Sequence, residues 1–73
     1  MTVRCKFTCM DKTENTDGVE VTFSPVTSGS AENERFFSFT PWGELKFGTF
    51  NEDAAAQFEV GKEYYVDVSA VPA

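Results

Sequence analysis

The segment that most restricts the fold is residues 51–68, NEDAAAQFEVGKEYYVDV, which joins a helix signal, a glycine break and a regular alternating strand. In that strand Tyr64, Val66 and Val68 share one face and Glu63, Tyr65 and Asp67 the other, because side chains alternate with period two. Such a strand is half buried and needs a sheet to lie in. Ahead of it, Asn51 can cap a short helix. Glu52 and Asp53 put negative charge at the positive end of the helix dipole, and Ala54, Ala55 and Ala56 favour the helical state. Gly61 then ends the helical run.

The same alternation recurs upstream. Residues 3–9 set Val3, Cys5, Phe7 and Cys9 against a solvent face with Arg4 and Lys6, which predicts a first strand. The polar run 11–18, DKTENTDG, reads as a loop whose Asp17-Gly18 turn signal leads into a second, antiparallel strand. There Val19, Val21 and Phe23 alternate with Glu20 and Thr22 until Pro25 ends the strand or confines it to an edge. Its outer face is expected to bring Glu20 near the cations of the first strand. Residues 27–33, TSGSAEN, read as a loop.

Phe36, Phe37 and Phe39 cannot all face one way on a strand, so residues 34–40 read as a short helical turn followed by an extended piece. The alternative leaves one Phe exposed. Thr40-Pro41-Trp42-Gly43 fits a β-turn with Trp42 partly exposed at its tip. Residues 44–50 then set Leu45, Phe47 and Thr49 against Glu44, Lys46, Gly48 and Phe50, with Gly48 marking a bulge or bend.

Four strands, short turns and one short helix before the last strand predict a mainly β single domain over residues 1–73. Its form is a strongly bent antiparallel sheet or small open barrel of the OB-like or SH3-like kind, with Phe58 plugging one end and edges mostly removed. A chain of 73 residues lies near the lower limit for a self-sufficient core, and eight Phe, two Tyr and one Trp supply the buried area that makes a staple unnecessary. The two cysteines do not provide one. Cys5 and Cys9 on a straight strand would stand roughly 13 Å apart, beyond the ~7 Å reach of a disulfide. They read as reduced, buried thiols of a cytoplasmic protein.

No run approaches the ~20 apolar residues of a membrane span, and the N-terminus lacks the apolar stretch of a signal peptide, so no membrane partner is expected. The formal charge of −6 opposes approach to phosphate backbones unless the few cations are gathered on one side.

Catalytic chemistry is poorly supplied. The chain has no His and little volume for a cleft, so no enzyme activity, cofactor or metal is expected. Glu52 with Asp53, and Glu32 with Glu34, read as first-turn helix charges and a solvated loop rather than paired catalytic carboxylates. The DKTENTD run alternates oxygen ligands but lacks the central Gly and distal Glu of an EF-hand.

Binding is the better supplied alternative. An exposed Trp42 flanked by Phe residues and rimmed by Glu34, Glu44 and Glu59 has the composition of a small aromatic hot spot for a protein partner. A bland reading of the same residue has Trp42 closing one end of the core. In a second binding reading Phe36, Phe37, Phe39, Trp42, Phe50 and Tyr65 stack single-stranded nucleic acid beside a groove of Arg4, Lys6, Arg35 and Lys46. In a third the aromatics sandwich a free nucleotide whose phosphate meets Arg35 and Lys62. Across these readings Trp42, Phe37, Phe39, Arg35, Phe50 and Tyr65 are the candidate binding residues.

The residues SPVTSGSAENERFFSFTPWGELKFGTFNEDAAAQFEVGKEYYVD, 24–67, carry a PVTSGS-x-EN segment, an FF pair, a TP-x-G turn and a closing GK-x-YYVD strand. In these features the chain resembles a family of small proteins encoded by tailed phages and prophages, and the KFTC start is also similar. The resemblance implies phage origin, a compact fold, and a place in the host cytoplasm or the virion, with no catalytic residues to transfer. Many members have a small residue where this chain has Trp42, so the resemblance implies no aromatic contact there. The expected function is therefore non-enzymatic binding of a host or virion macromolecule. Self-association is expected of a virion component, and a soluble acidic monomer or dimer of a host-directed inhibitor.

Overall fold

The computed structural model describes residues 2–16 and 18–72. Four antiparallel strands form one curled half-barrel sheet: β1 (Thr2–Asn15), β2 (Gly18–Pro25), β3 (Leu45–Thr49) and β4 (Glu63–Ser69), in the spatial order β3-β2-β1-β4. Helix α1 (Ala31–Phe39) lies between β2 and β3, and the single turn of α2 (Glu52–Ala55) comes before β4. The mainly β class and the short helix before the last strand are as the alternation predicts. The sheet nevertheless stays open, so β3 and β4 are both edges rather than partners in a closed barrel.

The inner face of the sheet holds the core. Phe7, Cys9, Val21 and Phe23 are buried there, with Cys5, Val19, Leu45, Phe58, Tyr64 and Val66 packed around them. Register explains the choice of residues: Phe23 faces Leu45 and Val21 faces Phe47 across β2–β3, while Phe7 faces Tyr64 and Cys5 faces Val66 across β1–β4. Phe58 sits across the hollow, with ring centres 5.5 Å from Phe47 on one edge strand and 5.6 Å from Tyr64 on the other. It also meets Phe23 edge-on at 5.6 Å. Phe58 thus draws the two edges toward each other. The Tyr64 hydroxyl holds the segment carrying it, donating to the Gln57 carbonyl at 2.7 Å and accepting from the Glu59 N–H at 2.9 Å.

Four local expectations are corrected. The polar run after Cys9 is mostly strand: β1 continues to Asn15, which faces Gly18, and Asp17 of the expected turn pair lies outside the described residues. A bulge makes this possible. The register shifts between Cys9 and Asp11, so beyond it Lys12 and Glu14 face Val21 and Val19 on the inner side. The bulge is therefore in β1 and not at Gly48, which faces Glu20 in unbroken register. Glu20 pairs with Lys46 on β3 at 3.5 Å rather than with Arg4 or Lys6, because β2 lies opposite the far half of β1 there.

The fourth correction concerns residues 31–39, where a full helix replaces the short turn. Ser30 caps it, its hydroxyl accepting from the Asn33 N–H at 3.0 Å, and Glu32 and Glu34 occupy the acidic first turn. Pro41 stops it, since the residue before a proline avoids helical geometry and Thr40 leaves the helical region with φ −133 and ψ 71. Cys5 and Cys9 are free, and Asn51 caps α2 by accepting from the Asp53 and Ala54 N–H groups.

Candidate interaction surface

The exit from α1 builds the most exposed aromatic group of the chain. Phe39 is 80% exposed and Trp42 81%, while Phe37, 39% exposed, lies two positions back on α1 and so on a different side of the helix from Phe39. Their backbone is tied at Thr40. The Thr40 N–H closes the helix onto the Phe36 carbonyl at 2.8 Å, and the Thr40 hydroxyl lies 3.9 Å from the Cys5 sulfur. Gly43 follows with φ +151, tucked where a Cβ would lie 3.8 Å from the Pro25 ring and 4.0 Å from the Phe7 ring. Two bulky apolar side chains thus project from a segment whose backbone is held against the core. Trp42 does not close the end of the core, which removes the bland reading of that residue.

Tyr65 belongs to a different arrangement, on the outer face of β1 and β4. Its ring lies under the Arg4 guanidinium at 4.9 Å and the Lys6 ammonium at 5.6 Å, and 6.1 Å from the Phe36 ring. Its hydroxyl donates to Glu32 at 2.8 Å. The cations it meets are already engaged. Arg4 donates twice to Asp67, at 2.8 and 3.0 Å, and Lys6 holds Glu32 at 2.6 Å and Glu63 at 3.4 Å with its side chain only 12% exposed. Hydrogen bonding to Lys6 and Tyr65 lowers the Glu32 pKa, and the bonds from Arg4 lower that of Asp67. The bond to Glu32 raises the Tyr65 pKa, and the same carboxylate raises that of Lys6.

Asn33 ties the helix to this face. It is buried, and its amide donates to the Ser28 carbonyl at 2.9 Å and to Glu63 at 2.7 Å. Arg35 is exposed on the same helix and feels the charge of Glu32.

Phe50 stands apart. It is 81% exposed at the far end of β3 from Trp42, and the five residues of that strand separate the two by about 16 Å at the usual rise. It lines a groove of about 560 Å³ with Lys12, Glu14, Gly18, Asn51 and Ala55. Lys12 is tied down in turn by donating to the Phe58 carbonyl at 3.1 Å. The six sequence-predicted residues therefore fall into separate places: Phe37, Phe39 and Trp42 at the α1 exit, Tyr65 on the outer face, Arg35 on α1, and Phe50 at the opposite end.

The DKTEN oxygens lie along a strand and alternate between faces, so they do not converge on one ion. Among the described residues there is no group of three metal-ligating side chains, and no helix is long and apolar enough to cross a membrane. No family model, curated protein or solved structure matches the chain.

Sequence reasoning missed the Lys6–Glu32–Tyr65 network and the anchoring role of Asn33. A signal for the first was present: Arg4 and Lys6 on one strand against Glu63, Tyr65 and Asp67 on another is a complementary pair of outer faces. Ser30 ahead of two acidic residues was likewise a helix-start signal.

Proposed function

We propose that this chain is a non-enzymatic, phage-encoded interaction protein that docks a protein of the host cell or the virion through Phe37, Phe39 and Trp42. The observation that carries this reading is the exposure of Phe39 and Trp42, 80% and 81%, on either side of Thr40, which is tied to the Phe36 carbonyl and to the Cys5 sulfur. Apolar side chains presented on a held backbone lose little further entropy on binding, and large aromatics dominate the energetics of interfaces. Glu34 and Glu44 flank the group with negative charge, which suits a partner surface with a basic rim around an apolar pocket.

The stacking alternative is less well supported. Arg4, Lys6, Lys46 and Lys62, four of the six basic side chains, are held in ion pairs, so a phosphate backbone would compete with carboxylates already in place. The proposed nucleotide phosphate contact at Lys62 is occupied by Glu59 in the same way.

A fluorescence titration of Trp42 tests the choice. Single-stranded oligonucleotides and a panel of nucleotides at low salt are expected to leave the emission unchanged. A partner captured from phage-infected cells is expected to quench it, and Trp42→Ala and Phe39→Ala are each expected to lower that affinity at least tenfold when it is read by titration calorimetry, since Trp42 is the chain's one Trp. Saturable quenching by an oligonucleotide that weakens with added salt would overturn the proposal in favour of nucleic-acid binding.

A further inference from the structure

We infer that the chain pairs with a second copy of itself through the open edge of β4, extending two four-stranded sheets into one of eight strands. The surface concerned is separate from the Trp42 group, so the inference does not rest on the preceding proposal.

The first observation is area. A folded monomer of this mass exposes about 4,500 Å² by the size scaling of monomeric proteins. This chain exposes 5467 Å² within a body of 38 × 37 × 18 Å. The surplus of roughly 1,000 Å² belongs to the whole chain, including Phe39, Trp42 and Phe50, and at the β4 edge it includes the half-exposed Val3, Tyr65 and Val68.

The second observation is which edge lies open. Natural edge strands are protected by shortness, charged side chains and lysine above all, proline or a bulge. The β3 edge has two of these, being five residues long with Lys46 in it. The β4 edge is longer and has no lysine, proline or bulge, and its two charges, Glu63 and Asp67, are drawn back by Lys6 and Asn33 and by Arg4. Its seven residues, EYYVDVS, run in unbroken register against Thr2–Thr8 of β1, and α1 contacts its outer face rather than its free side. The ladder also fixes which backbone groups point outward. The Cys9 N–H donates to the Lys62 carbonyl toward β4, whereas the Lys6 carbonyl accepts from the Val26 N–H on the other side. Carried along the ladder, this alternation turns Tyr64, Val66 and Val68 toward β1 and leaves the N–H and C=O of Tyr65 and Asp67 directed away from it.

The third observation is self-complementarity. A two-fold axis through Val66 sets Tyr65 of one copy opposite Asp67 of the other, two residues whose backbone groups both point outward and can exchange hydrogen bonds. Tyr64 then faces Val68, and Glu63 faces Ser69, so no carboxylate is set directly opposite another despite the net charge of −6. On the inner side Val66 and the half-exposed Val3 and Val68 join those of the second copy in one apolar strip. The arrangement is isologous, as expected of a two-fold dimer.

Sedimentation equilibrium over a concentration series tests this. The expected result is a mass of about 16 kDa, twice the chain's 8.1 kDa, falling to the monomer value on dilution. Asp67→Pro removes one outward N–H without disturbing the β1 ladder and is expected to shift the dissociation constant upward at least tenfold. Asp67→Ala, which also loses the Arg4 pair, is expected to keep the dimer. Amide exchange on the unaltered chain supplies a readout independent of folding in the variants, with Tyr65 and Asp67 protected in concentrated but not dilute solution. A chain monomeric at all concentrations, or Tyr65 and Asp67 amides whose exchange ignores concentration, would overturn the inference. Protection of those amides only on adding another protein would also overturn it, in favour of strand addition by a foreign segment.

Discussion

Replacing Phe58 with Ala tests how the curled sheet is held. Phe58 is only half buried, yet it contacts Phe23, Phe47 and Tyr64 with ring centres 5.5 to 5.6 Å apart, and so links β2, β3 and β4. Truncating a fully buried Phe costs ~3–5 kcal/mol, and each well-placed aromatic pair adds ~0.5–1.5 kcal/mol beyond its area. Allowing for the exposed part of the ring, Phe58→Ala should cost about 2–4 kcal/mol. A domain of this length has about 4–11 kcal/mol in total, so the loss is a large share of it. Phe39→Ala is the matched control. The same residue type 80% exposed should change stability by less than about 0.5 kcal/mol while lowering partner affinity. Urea denaturation followed by far-ultraviolet circular dichroism is the assay, because Trp42 is already exposed in the folded state and reports unfolding poorly. If the two variants lost equal stability, the role of Phe58 as the bridge across the sheet would be refuted.

Stability should also fall at both ends of the pH range. The Glu32 and Asp67 pKa values are lowered in the fold, so their contribution is complete above the ordinary carboxylate range near pH ~4 and is lost as pH falls through the folded values. Those of Lys6 and Tyr65 are raised, so theirs is complete below about pH 10 and is lost as pH rises through the folded values. Glu32→Gln should weaken both limbs and bring the Tyr65 titration back toward about pH 10, read from tyrosinate absorbance. The thiols should react with a disulfide reagent in two steps, the half-buried Cys5 before the fully buried Cys9, and an intrachain bridge found by mass would contradict their separation. Gly18→Ala should cost about 1–3 kcal/mol or more, because Gly18 has φ +110 and an added Cβ would lie 2.7 Å from the Thr49 carbonyl oxygen. A stability within about 0.5 kcal/mol of the parent chain would show that the approach of β2 to β3 there is slack.

Legibility varied along the chain with the strength of the local pattern. The inner residues of β2, β3 and β4 could be read from alternation, since half-buried strands carry that period wherever one face is dry. The first half of β1 followed the same rule. Its second half did not, because the bulge between Cys9 and Asp11 turns Lys12 and Glu14 inward, where they border a groove rather than the core. With no apolar period, DKTEN looks like a loop. Helix α1 was obscured by three Phe residues, which suggested a break, although the cap at Ser30 and the stop at Pro41 were both local signals. The candidate binding residues could be named by type in advance but could not be grouped, because exposure and separation depend on where each strand ends.

Although α2 ends at Ala55, well before the stop expected at Gly61, the sequence by itself determined the mainly β class, the inner face, the cap at Asn51 and the unpaired cysteines. Each of these depends on a few neighbouring residues and on the fixed geometry of the backbone. The tertiary structure alone decided that the sheet curls without closing, that Phe58 spans it, that Glu32 returns from α1 to Lys6 and Tyr65, and that Trp42 points away from the core. Those outcomes depend on contacts between residues far apart in the chain, whose energies become comparable only once the strands have been brought together.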